Sequence, residues 1–135
     1  MGSKSDHLEV EILDHIFGKG VYTPPTHIFV GLYTATPSDA STGSSGGTEV
    51  SGGSYARKTT DPANWADAAS GAIANGAEIA FVEATASWGE VTHFGLFDAI
   101  TDGNLLYWGA ITTPKTIDSG DTAKFAIGDI DTTED

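Results

Sequence analysis

Apolar side chains recur along this chain at two periods. Over residues 6–17, Leu8, Ile12, Leu13, Ile16 and Phe17 return every three to five positions, the spacing of one helix face. Asp6, with Glu9 three places on, has the form of a capping box, and Gly18-Lys19-Gly20 supplies a stop. The predicted helix has only about three turns, too few to hold alone in water. Its stripe therefore needs a partner surface, either its own sheet or another subunit, and these five residues are the candidate partner-binding set.

After Tyr22-Thr23-Pro24-Pro25 the period changes to two. Over residues 27–34, Ile28, Val30 and Leu32 point to one side, and Phe29 and Tyr33 to the other, which predicts a strand buried on both faces. Thr36-Pro37-Ser38-Asp39 reads as a turn, and residues 40–54 as a flexible Gly/Ser loop with a short edge strand at 48–50. Residues 55–60 predict a strand holding Arg57 and Lys58, and 61–74 an irregular stretch around Trp65. Residues 77–84 predict a strand with Ile79 and Phe81 inward and Glu78 outward.

Residues 91–99 and 105–111 form a predicted hairpin around Thr101-Asp102-Gly103-Asn104, since Asp-Gly and Asn tolerate positive φ. Its first strand carries Phe94 and Leu96 on one face, His93 and Phe97 on the other. A second hairpin is expected from 115–117 and 122–127 around Asp118-Ser119-Gly120-Asp121, followed by an acidic tail, 128–135, with one apolar residue, Ile130. One short N-terminal helix and about seven or eight short strands predict a mainly β, single-domain fold, a β-sandwich or jelly-roll-like arrangement spanning 1–135.

Composition supports that reading. Of 135 residues, 39% are hydrophobic and 17 are glycine, which suits short strands and tight turns. Six Lys and Arg stand against 19 Asp and Glu, a formal charge of -13. Such a surface repels phosphate backbones and anionic membranes, so neither nucleic acid nor membrane is an expected partner. It steers the chain toward basic surfaces instead. With no cysteine, there is no disulfide or thiolate chemistry. No apolar run approaches the ~20 residues of a membrane-spanning helix.

Candidate chemistry is sparse. His7, His15, His27 and His93 do not have the i, i+4 spacing of a helical zinc pair. Gly43-Ser44-Ser45-Gly46-Gly47 fits neither a phosphate-binding loop nor a nucleophile elbow. Glu83 and Glu90 are the candidate carboxylate pair for a glycan hydrolase, and Asp118, Asp121, Asp129 and Asp131 are candidate calcium ligands. Trp65, Trp88, Tyr107 and Trp108 are candidates for stacking on sugars, or for the core. No catalytic, metal or cofactor site is assigned.

Several runs carry a resemblance. They include Tyr22-Thr23-Pro24-Pro25 and Gly31-Leu32-Tyr33-Thr34-Ala35-Thr36-Pro37, Gly47-Thr48-Glu49-Val50-Ser51-Gly52-Gly53, Trp88-Gly89-Glu90-Val91-Thr92-His93-Phe94-Gly95-Leu96-Phe97, and Gly103-Asn104-Leu105-Leu106-Tyr107-Trp108-Gly109. Together they resemble a family of small phage virion proteins, commonly labelled tail fibre or virion structural proteins. The resemblance covers most of residues 12–131 and implies a non-enzymatic structural role in a virion. The chain lacks the length and repeats of a fibre shaft. The expectation is therefore a head decoration or cement protein that binds between subunits of the major capsid protein, trimeric through the helix stripe. The alternative is a short tail-fibre or spike component binding a host-surface glycan.

Overall fold

The structure, a computed structural model, describes residues 2–134. The strands are β1 (Gly2–Lys4), β2 (Ile28–Ala35), β3 (Thr48–Glu49), β4 (Lys58–Thr60), β5 (Ala72–Ala74), β6 (Ile79–Glu83), β7 (Gly89–Phe97), β8 (Leu105–Ile117), β9 (Thr122–Phe125) and β10 (Asp131–Thr133). The helix α1 (Asp6–Ile16) follows β1, and a single 3-10 turn (Pro62–Asn64) follows β4. Eight strands form one sheet in the order β3-β2-β7-β8-β1-β10-β5, with β4 also on β2. Strands β6 and β9 form a second, two-stranded sheet. The fold is a mainly β single domain with one short helix, as the alternation predicts.

The period-two pattern in β2 and β7 does what it implies. Val30, Leu32, Phe94 and Leu96 meet Ile79, Phe81 and Phe125 of the small sheet in the main core. Tyr33 and Phe97 point the other way and pack with Leu105 in a second cluster. Gly31 and Gly95 lie directly opposite each other in the β2–β7 pairing. A Cβ on either would come within 2.8 Å of the Phe97 ring, so the glycines make the floor on which that ring lies. The β7–β8 hairpin turns through Asp102 (φ 50) and Gly103 (φ 68), both in the left-handed region.

Three local expectations, for the helix cap, the second hairpin and the tail, are corrected. The helix cap is Ser5, not Asp6: its hydroxyl accepts from the Leu8 N–H at 3.2 Å and donates to the Leu105 carbonyl, so the sheet beneath fixes the cap. The second hairpin does not form. Asp118 and Asp121 do make a turn, but β8 is already paired to β7 as far as Ile117, and β9 crosses to pair with β6. There its alternating Ala123 and Phe125 reach the core. In β8, four residues around Pro114 oppose the single Thr92, a bulge that accommodates a residue without an N–H. The expected acidic tail enters the sheet: Ile130 is fully buried and β10 pairs with β5 and, in parallel, with β1. Finally, Leu8 of the candidate partner-binding set faces inward at 4% exposure and Ile12 is half-buried, while Leu13, Ile16 and Phe17 stand in solvent.

Candidate functional site

A groove of about 430 Å³ lies on the flank of the large sheet, with Trp65 and Tyr107 among its walls. Pro24 and Pro25 bring the chain along one edge into β2, and their rigid rings form one side. Asp61 opens the 3-10 turn, its N–H donating to the Asn64 side-chain oxygen at 2.8 Å. That turn delivers Trp65 back over the sheet. The indole Nε1–H donates to the Thr60 hydroxyl at 2.9 Å, and Thr60 donates to the Ile28 carbonyl at 2.7 Å. Trp65 is thereby fixed against β2, one part on the core and one part in the groove.

Tyr107 comes from β8, beside Leu96 of β7 and Lys4 of β1. Its hydroxyl donates to one Glu134 carboxylate oxygen, and Lys4 donates to the other at 2.7 Å. Burial, reinforced by that carboxylate, pushes the Tyr107 phenol well up. The Glu134 carboxyl is held below its ordinary value: burial alone would raise it, but the bonds from Lys4 and Tyr107 outweigh burial. Both aromatics are thus pinned through their polar atoms, leaving ring surface toward the groove. Asp61 and Asp67 are exposed at its rim, and no Lys or Arg lines it.

Of the four aromatics singled out from the sequence, these two share a site. Trp88 is core, 4% exposed, with its Nε1–H on the Gly53 carbonyl. Trp108 lies against the second cluster, bonded to Asp39 and 6.2 Å from the His93 ring. Glu83 and Glu90 are both exposed and sit on different sheets. The carboxylates of Asp121 and Asp129 accept the N–H groups of Asp118 and Ala126 in tight turns. His15 accepts the Tyr22 N–H, His93 contacts Thr92 at 2.8 Å, and His27 Nδ1 lies 2.9 Å from Asp61. Among the described residues no group of three or more His, Asp or Glu converges to hold a metal. No helix among them is long and apolar enough to cross a membrane.

A residue that sequence reasoning passed over is Arg57. It is 6% exposed and spends all five guanidinium N–H groups: two on Glu49, and one each on the carbonyls of Gly43, Ala99 and Asp102. Its guanidinium carbon lies 3.5 Å over the Phe97 ring. It ties the 40–54 loop and the β7–β8 turn to β3, and its role is to hold structure.

The family model described as podophage GP4 fiber I protein gp80 matches residues 3–133. The chain belongs to this family of phage fibre proteins. Membership in the fiber I family makes it a virion structural protein, and a fibre role fits this better than the capsid-decoration role expected above. No match is found among curated proteins.

Proposed function

We propose that the protein is a short, non-enzymatic component of a phage tail fibre that binds a neutral host-surface glycan in the Trp65–Tyr107 groove. The observation that carries this is the pair of pinned aromatics over an acidic rim. A sugar ring presents C–H groups to an aromatic face and hydroxyls around its edge. Here the rings offer the face, and Asp61 and Asp67 offer acceptors for hydroxyls. Because Trp65 and Tyr107 are already fixed, little side-chain entropy is lost on binding. With no cation in the lining and a chain charge of -13, acidic sugars are repelled.

The test is a glycan array probed with the purified protein, followed by titration of the best neutral ligand. Trp65→Ala should weaken binding by about tenfold, equivalent to roughly 1.4 kcal/mol of stacking. Asp67→Ala, an exposed rim change, should weaken it with no effect on melting. Absence of any neutral glycan signal from the wild type defeats the glycan reading. Labelling of the protein in intact particles addresses position: signal on the head shell instead of the tail would restore the capsid-decoration reading.

A further inference from the structure

Among the described residues, eight large apolar side chains stand exposed, and five lie within residues 10–21: Val10, Leu13, Ile16, Phe17 and Val21, from 57% to 83% exposed. At about 100° per residue, the four on or capping α1 occupy an arc of roughly 120°, turned away from Leu8. This is a second apolar face, beyond what α1 needs to sit on its own sheet. Acids are set into it and beside it: by the same count the exposed Asp6 and Glu9 fall within the arc and the exposed Asp14 just beyond it, while Lys19, past the end of the helix, is the one Lys or Arg among residues 6–21.

The charge pattern selects the occupant. Laying this face on a second copy would bring the carboxylates of two helices together, on chains that each carry -13. An apolar surface that also carries Lys and Arg satisfies both features. We propose that the Val10–Leu13–Ile16–Phe17 face docks onto such a basic, apolar surface on another protein of the virion. The location of the partner rests on membership of the fibre family, and the glycan reading plays no part in it.

The experiment adds purified protein to phage particles assembled without it and measures retention after sedimentation. Wild type should be retained, and retained less as salt is raised from about 0.05 M to about 0.5 M, where screening removes the acidic contribution. The exposed pair Ile16→Ser/Phe17→Ser should be retained at least tenfold less, with unchanged melting. Glu9→Gln/Asp14→Asn should bind more weakly at low salt and lose most of the salt dependence. Failure of the wild type to bind, or equal retention of the Ile16→Ser/Phe17→Ser variant, overturns the proposal. So does light scattering that finds the wild type dimeric or trimeric and that variant monomeric, since a second copy then covers the face.

Discussion

Replacing Arg57 by Met removes a cation and five donated hydrogen bonds while keeping most of the side-chain volume. Glu49 then loses both charge-assisted bonds, at 2.8 and 2.9 Å, and keeps only the Tyr55 hydroxyl as a donor. Breaking a buried ion pair from one side costs about 3–5 kcal/mol, since a charge is left behind without its partner. The Glu49 side chain is 23% exposed, so water recovers part of that loss and the lower end, about 3 kcal/mol, applies. For 135 residues, an unfolding entropy of ~2.1 cal/mol/K per residue gives roughly 0.28 kcal/mol/K. The melting temperature should therefore fall by about 11 °C, read by circular dichroism at neutral pH. Lys58→Met, an exposed change next door, should move it by less than about 2 °C. Arg57→Lys keeps the charge but has no planar fork for Glu49 plus three carbonyls, so it should fall between the two. An Arg57→Met protein melting within about 3 °C of wild type would show that Arg57 does not hold the loops together.

Asn75 is 1% exposed; its amide donates to the Ala77 and Ala126 carbonyls and its oxygen accepts from Ile130 N–H, so Asn75→Ala should cost about 2–3 kcal/mol in urea unfolding. A loss under about 0.5 kcal/mol would mean the β9–β10 connection is held by something else. Glu134 has a folded-state pKa below its ordinary 4.5, so its bonds to Lys4 and Tyr107 stabilise the fold above that pH and fade as pH falls through the lower folded value. The stability gap between wild type and Glu134→Gln should accordingly be present at neutral pH and close on acidification below 4.5. A gap that widens in acid contradicts the assignment.

What could be read in advance follows from which forces act locally. Ile28, Val30 and Leu32 alternate with Phe29 and Tyr33, and burial on both faces obliges that pattern. Asp102-Gly103 announces its turn because few other residues accept positive φ there. By contrast, Gly2–Lys4 and Ala72–Ala74 have little strand propensity; they are strands because β8 and β10 offer unpaired edges. The partner of β9 was hidden for a related reason, since its turn looks the same whether the chain doubles back or crosses to another sheet. Arg57 sits in a basic pair that reads as surface, and its acceptors arrive from three distant segments. Trp65 and Tyr107 are each visible as aromatics, but the sheet order that places them in one groove depends on pairings no local pattern encodes. The helix stripe was legible as apolar, though which part of it turns inward was decided by Ser5 and Leu105.

The parallel seam between β1 and β10 governs when the molecule can be completed. Gly2 lies between Gly109 and Thr132, neighbours that emerge from the ribosome more than a hundred residues after it. Until Thr132 is available the outer edge of β1 stays unpaired, an open flank that invites mispairing. Closing that seam relies on contacts of very long sequence separation, so refolding should be slow for a domain of this size, and co-expressed chaperones should raise the yield of soluble material.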